Sequence, residues 1–292
     1  MGDGEHRGRS LMNDATAGNF AKGAVKKIFD AMGLEVRRTP APLPRMRMDG
    51  FLEHCKELGF RPGGIFDVGV GTGTPEIYDT FPGVPLILVE PVPDFEPVLK
   101  ELARVYGAEY VLAAAGDRSG TTMLHFHTDN LDSSSLLQEI EGELVDGEAH
   151  EVRMVTLDEL HLARRLPKPY LVKVDVQGSE LQVLDGASKV LADTELVILE
   201  TTLFAVFIGG PQLYDVLCYM KDRGFVAYDV FGPFYRPLDM ALGQIDIAFV
   251  KENGFFRQSH CAATPEQRAA LLRHNNIPEA LAALRSRPAV NR

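Results

Sequence analysis

Cysteine is scarce and unpatterned in this 292-residue chain: Cys55, Cys218 and Cys261 are odd in number, widely spaced and free of any C-x-x-C pair. That excludes a disulfide-stapled fold and a cysteine-based zinc or redox motif, and predicts reduced thiols in a cytoplasmic protein. No run approaches 18 apolar residues, and the polar opening MGDGEHRGRS lacks the apolar stretch of a secretory signal. Neither a transmembrane segment nor export by the usual route is expected. Positive charge is also short, with 30 Lys and Arg against 41 Asp and Glu and a formal net charge of -11. A surface of that sign repels phosphate backbones, so nucleic acid is not an expected partner.

The rest of the composition is ordinary. Apolar residues make up 45% and charged residues 24%, which excludes a disordered or collagen-like chain. Residues 1–14, rich in glycine and charge, read as a flexible tail. Residues 15–48 read as an N-terminal helix and a proline-rich linker, TPAPLPRMRM. In the helix, Phe20, Ala24, Ile28 and Ala31 recur at helical spacing opposite Lys22, Lys26 and Lys27. Such a helix could touch a membrane surface or a lipid-linked substrate. Packing on the main domain or on a second subunit is the better reading, because two glycines and three lysines make a weak membrane signal.

From residue 49 to 251, short apolar runs alternate with helical segments. Helix Asp49 to Leu58 leads into strands Gly64 to Val68, Leu86 to Glu90 and Tyr110 to Ala113. Further strands follow at Leu171 to Val176, Leu196 to Glu200, Phe225 to Val230 and Ile245 to Val250, with helices at Phe95 to Tyr106, Ser179 to Leu191 and Gln212 to Arg223. This is an α/β pattern that implies a mostly parallel sheet covered on both faces. The gap before the last strand, with Gly232, Pro233 and Pro237, is too short for a crossover helix, so that strand is expected to be antiparallel. A β insertion over 118–157 carries TTMLHFH, LDSSSLL and EVRMVTL. Residues 252–292 form a C-terminal helical extension, begun by the capping box of Thr264, Pro265 and Gln267.

The segment IFDVGVGTGTPEIY runs a strand into Gly69, Gly71 and Gly73, where the backbone can approach a ligand, with Asp67 in the strand as an acid for a polar, partly cationic group. Glu90 ends the next strand, where doubly wound folds grip a ribose through its hydroxyls. A dinucleotide needs a G-x-G-x-x-G turn and a helix N-terminus for its pyrophosphate; here the spacing is G-x-G-x-G and Pro75 supplies no N–H. S-adenosylmethionine carries no phosphate, and its sulfonium suits an acidic surround. In YLVKVDVQGSELQVLDGA a central strand carries Lys173 and Asp175 on one face; a buried lysine needs a carboxylate partner. If the strand ending in Glu200 is its neighbour, Asp175 and Glu200 converge at the carboxyl edge of the sheet. With Lys173 turned away, that pair would share a proton or hold a divalent cation such as Mg²⁺. His125, His127, His150 and His161 read as packing or surface residues rather than catalytic ones.

Taken together and in this order, DVGVGTG, VEPVPDFEPVL, AAAGDRSG, SSSLL, VTLDEL and LVKVDVQGSELQVLDGA resemble the FkbM family of S-adenosylmethionine-dependent methyltransferases, from about Gly50 to Lys251. The resemblance implies a seven-stranded class I methyltransferase sheet, Rossmann-like, with the last strand antiparallel, and O-methylation of a hydroxyl on a sugar, glycolipid or polyketide-type acceptor. It implies that Gly69, Gly71 and Gly73 hold the methionine part of the cofactor, Glu90 and Pro91 the ribose side, and that Asp117 lies near the adenine. Asp175 would stand between cofactor and acceptor. On the residues themselves, Asp175 or Glu200 reads as the base that takes the acceptor's proton, with Lys173 holding their charge and geometry, and Ser134, Ser135 and Glu180 as substrate-side candidates. Gly71, where many members carry Asn, and Pro75 depart from the family pattern. A nicotinamide-dependent oxidoreductase and a non-catalytic nucleoside-binding scaffold are the competing readings.

Overall fold

A computed structural model describes residues 45–127, 130–142, 146–272 and 285–286. The N-terminal tail, the helix expected over 15–38 and most of the linker lie outside the described residues.

Helix α1 (Met48–Glu57) leads into β1 (Gly64–Val68), α2 (Pro75–Thr80), β2 (Leu86–Glu90), α3 (Glu96–Tyr106) and β3 (Glu109–Leu112). After the insertion come α4 (Leu157–Arg164), β7 (Tyr170–Val174), α5 (Glu180–Asp185), α6 (Ser188–Ala192), β8 (Thr194–Thr202), α7 (Leu213–Asp222), β9 (Phe225–Tyr235) and β10 (Leu242–Lys251). The main strands form one seven-stranded sheet in the order β3-β2-β1-β7-β8-β10-β9. All pairings from β3 to β8 are parallel, and β10 runs antiparallel between β8 and β9. The fold class read from the sequence is the one observed.

Strands β1, β2, β7 and β8 are buried on both faces, which is why they read as continuous apolar runs rather than alternating ones. One face packs Phe51, Leu52, Ile77 and Leu99 of α1 to α3 over Ile65, Leu88 and Ile198. The opposite face packs Leu160, Val183, Val190 and Val216 of α4 to α7 over Phe66, Val172 and Leu199. The chain winds outward from β1 in both directions, to β2 on one side and β7 on the other. That reversal opens a crevice at the carboxyl ends of the strands, where ligands bind in open α/β sheets.

Two elements differ from the sequence expectation. The single helix expected over Ser179 to Leu191 is broken into α5 and α6 at Gly186, because a Cβ there would sit 2.0 Å from the Gly116 carbonyl oxygen and the chain turns to make that approach. Strand β9 runs through Gly232 and Pro233 instead of stopping before them. It is an edge strand with a bulge, the one setting where a sheet tolerates proline.

The insertion adds a three-stranded sheet in which β6 (Glu148–Val155) pairs antiparallel with β5 (Gly120–Phe126) and parallel with β4 (Ala114–Ala115). Its connecting segment brings Leu131, Asp132, Ser134 and Leu136 to the crevice. In the C-terminal segment, α8 (Pro265–Leu272) starts on the expected capping box: Thr264 N–H donates to Gln267 Oε1 at 2.9 Å and Gln267 N–H to Thr264 Oγ1 at 3.2 Å. No helix among the described residues is long and apolar enough to cross a membrane.

Candidate active site

A cleft of ≈ 370 Å³ fills the crevice, between the β1 loop, the end of β2, the insertion segment and the ends of β7 and β8. The loop after β1 takes its shape from glycine for reasons of chain packing. Gly69 has φ +74°, and a Cβ there would lie 1.6 Å from the Asp175 carbonyl oxygen, so the β1 loop can cross the β7 loop only without a side chain. At Gly73, φ +103°, a Cβ would press on Leu102. The glycines thus lay bare backbone along the cleft floor while α2 begins at Pro75.

Glu90, 4% exposed, closes the next strand. It accepts from Gly71 N–H and from Val92 N–H, both at 2.9 Å, and so ties the glycine loop to the tip of β2. Burial pushes its pKa up, while those two N–H donors and Lys173 hold it back. Glu90 and Pro91 line the cleft, as do Gly69, Gly71 and Gly73. Asp67 does not. It is wholly buried beneath the loop, where its carboxylate accepts from Tyr78 OH and stands 3.7 Å from Lys173 Nζ.

Lys173 is the cation under the site. Its ammonium donates to Gly69 O at 3.2 Å and to Asp175 Oδ2 at 3.2 Å. Burial works against the charged form, but Asp175 and Asp67 beside it outweigh that and push its pKa up, so it stays protonated. A lysine turned away from Asp175, the arrangement in which the sequence favours a shared proton or a divalent cation, is therefore not what the fold builds. Among the described residues no group of three or more His, Cys, Asp or Glu could hold a metal ion.

Strands β7 and β8 are parallel neighbours, and Asp175 and Glu200 converge as that pairing requires. Gln177 bridges them: its Nε2 lies 3.0 Å from Asp175 Oδ1 and 2.9 Å from Glu200 Oε2. The other Glu200 oxygen accepts from the Gln244 amide of β10. Burial, followed by the charges of Asp175, Asp246 and Glu180, pushes the Glu200 pKa far up. Gln177 reaches both acids by adopting φ +53°, an uncommon conformation for a side-chain-bearing residue that costs about 1–2 kcal/mol. Asp246 of β10, the cross-strand partner of Glu200, completes an acidic rim along this edge. Gln177, Gln244 and Asp246 escaped the sequence reading; a lone acid in the apolar run IDIAFV was the signal for Asp246.

Of the remaining sequence candidates, only Ser134 lines the cleft. Ser135 is buried behind it, donating to Gln177 O at 2.6 Å and accepting from Leu137 N–H at 3.0 Å. Glu180 is spent on the turn before α5, where its Oε1 accepts from Val176 N–H and Gly178 N–H; burial pushes its pKa up to about 7. Asp117 is exposed and pairs with Arg118 at 3.1 Å. His125 and His127 face carboxylates of the insertion, Asp146 at 3.0 Å and Glu139 at 3.3 Å, and neither touches the cleft.

A doubly wound sheet whose switch-point cleft carries a glycine loop and a buried glutamate at the tip of the second strand defines a nucleoside-binding α/β enzyme fold. Residues 73–227, more than half of the chain, match the methyltransferase FkbM domain, and the protein belongs to that family of S-adenosylmethionine-dependent methyltransferases. A stretch of 49 residues is 43% identical to the hexuronic acid methyltransferase AglP of Haloferax volcanii, covering 17% of this chain and 20% of that protein. Among solved structures, the magnesium protoporphyrin IX methyltransferase of Synechocystis with bound S-adenosylmethionine aligns over 84% of this chain and 86% of its own, at 10% identity and TM-score 0.39. A putative tRNA (m1A22) methyltransferase of Streptococcus pneumoniae aligns over 69% and 72%, at 12% identity and TM-score 0.39.

The cleft fits the cofactor by its chemistry. Of the charged side chains lining it among the described residues, Glu90, Asp132, Asp175, Glu200 and Asp246 are acids and Lys173 is the one base. Such a balance favours a cationic sulfonium over an anionic pyrophosphate. Phe95, Leu124, Leu131 and Leu136 add an apolar wall of the kind a flat aromatic ring packs against.

Proposed function

We propose that the protein transfers the methyl group of S-adenosylmethionine to a hydroxyl of a neutral sugar or sugar-bearing acceptor. The cofactor, when bound, supplies an electrophilic methyl group on a positively charged sulfur. Gly69 to Gly73 hold its methionine part, Glu90 and Pro91 its ribose side, and Asp175, Glu200 and Lys173 form the acceptor side. Much of the rate in such a displacement comes from alignment, which the fixed positions of Asp175 and Glu200 provide.

The observation that carries this reading is the acidic rim of Asp175, Glu200 and Asp246 along one edge of the cleft. A neutral hydroxyl donates hydrogen bonds to such a rim, whereas an acceptor carboxylate would meet charge repulsion there. The hexuronic acid named in the partial relative is a polyol as well as a carboxylic acid, so it bears only on the sugar class of the acceptor; Ser134 offers a further hydroxyl at the cleft wall. Asp67, Ser135 and Glu180 act in this reading through the fold rather than by contact, and Asp117 stands outside the cleft.

Titration calorimetry with S-adenosylmethionine, S-adenosylhomocysteine and NAD tests the first half; both adenosyl compounds are expected to bind and NAD is not. Transfer of radiolabelled methyl to a panel of methyl glycosides of glucose, galactose, rhamnose and glucuronic acid tests the second. Label on the neutral glycosides is expected at O-methyl positions. Exclusive labelling of the glucuronide carboxyl would refute the hydroxyl assignment, and binding of NAD alone would refute the whole reading.

A further inference from the structure

Three carboxylates edge the acceptor side, and they are not equivalent. Both oxygens of Asp175 take donors, Lys173 Nζ and Gln177 Nε2, and both oxygens of Glu200 take amides, from Gln177 and Gln244. Those contacts hold both carboxyl groups in place, and burial favours the protonated form of Glu200, which leaves it no free lone pair for a second proton. Among the described residues no donor reaches the Asp246 carboxylate, which lines the same cleft.

The backbone around Asp246 is built to hold it there. Opposite it, β9 bulges: Gln244 pairs with Phe234 and Asp246 with Phe231, so one extra residue is accommodated on the β9 side. Gly232 in that bulge has φ +61°, donates its N–H to Met46 O at 3.1 Å, and leaves room that a Cβ would fill at 2.5 Å from Asp246 Oδ2. Bulges beside active sites re-aim side chains, and this one clears the space that the Asp246 carboxyl occupies. The charges acting on it come from Asp175 and Lys173 of the β7 end and from Glu200 of β8, with Phe231 and Gly232 on the β9 side uncharged.

Resting on the reading of the protein as an O-methyltransferase, we infer that Asp246 is the general base that takes the acceptor's hydroxyl proton, with Asp175 and Glu200 orienting the hydroxyl. The acceptor oxygen forms its bond to the methyl carbon as the carbon–sulfur bond breaks with its electron pair going to sulfur. The O–H proton passes to Asp246 Oδ and from there to solvent, so charge balances with a neutral thioether as product. Burial and the neighbouring Asp175 raise the basicity of Asp246, while Lys173 keeps it from rising further.

The test is carbon-13 NMR of protein labelled at the aspartate side-chain carboxyl, together with kinetics on the glycoside labelled most rapidly in the panel above. One signal, missing in Asp246→Asn, should titrate near neutrality and move to lower pH when S-adenosylmethionine is bound but not when S-adenosylhomocysteine is. Asp246→Asn should lower kcat by about 10²–10⁴-fold and abolish the matching limb of the pH profile, with KM and the S-adenosylhomocysteine affinity within threefold of the parent. Asp246→Ser provides a second variant should the asparagine form fold poorly. An ordinary aspartate titration for that signal, or kcat within threefold in a folded variant, overturns the assignment. Failure of the parent to bind S-adenosylmethionine would instead overturn the methyltransferase reading beneath it.

Discussion

Replacing Lys173 by methionine removes the one cation under the cleft among the described residues, at nearly constant side-chain length. In the parent protein its ammonium stands 3.2 Å from Asp175 Oδ2 and 3.7 Å from Asp67 Oδ1, with the lysine and Asp67 side chains 8% and 0% exposed. Breaking a buried ion pair by deleting one partner costs about 3–5 kcal/mol, because the remaining charge is left without compensation. For a domain of this size each kcal/mol shifts Tm by about 2–4 °C, so the variant should melt roughly 6–20 °C lower. Urea unfolding at pH 7 gives the free energy directly. Adding Asp67→Asn should restore about half of the loss, because it removes the orphaned charge while Tyr78 keeps a hydrogen-bond acceptor there. Loss below 1 kcal/mol in Lys173→Met, or no recovery in the double variant, would show that Asp67 and Lys173 do not depend on each other and would refute the electrostatic account of the cleft floor.

Two glycines of equal backbone strain separate packing from conformation. Gly69→Ala, at φ +74° with its Cβ 1.6 Å from a carbonyl oxygen, should lose more than about 3 kcal/mol in urea unfolding, whereas Gly83→Ala, at φ +76° with nothing within 4 Å, should lose only about 1–2 kcal/mol. Similar losses at both sites would refute the packing argument for the β1 loop. Asp246 carries a folded-state pKa pushed up to about 7 by burial first and Asp175 second, so between pH 4 and 7 the native state holds a proton that the unfolded chain has released. That group therefore subtracts stability as pH rises through this window, by on the order of 2–4 kcal/mol at pH 8. Asp246→Asn should accordingly melt higher than the parent at pH 8 and at the same temperature at pH 4, as read by calorimetry; a variant less stable at pH 8 would reverse the sign and refute the burial argument.

What could be read from the sequence was local. The run IFDVGVGTG announces a strand, a bend and bare backbone in nine residues, and Glu90 falls a fixed distance beyond it because one short helix separates two strands. Pairing of Asp175 with Glu200 followed from strand adjacency alone. The rest depended on register and on which hydrogen bond wins. Asp246 stands opposite Glu200 only in the antiparallel register that β10 adopts against β8, and nothing in IDIAFV specifies that register without its partner. Asp67 looks like a ligand residue in the motif, yet the phenol of Tyr78 and Lys173 claim its carboxylate from below. Ser135 and Glu180 read as substrate-side residues in the sequence, but each has a backbone partner within hydrogen-bond reach that satisfies it first.

The antiparallel insertion of β10 between β8 and β9 has a chemical consequence as well as a topological one. A parallel strand presents only its carboxyl end to the crevice, as β7 and β8 do with Asp175 and Glu200. A strand running the other way brings its early residues there, so Asp246 enters the cleft and Gln244 reaches Glu200 from a segment that a parallel strand would have placed at the far edge of the sheet. The amide of Gln244 then occupies Glu200 while, among the described residues, the carboxylate of Asp246 stays without a donor. Two residues two apart on one strand face thus divide the work: one fixes the position of a neighbouring acid, and the other is left able to accept a proton.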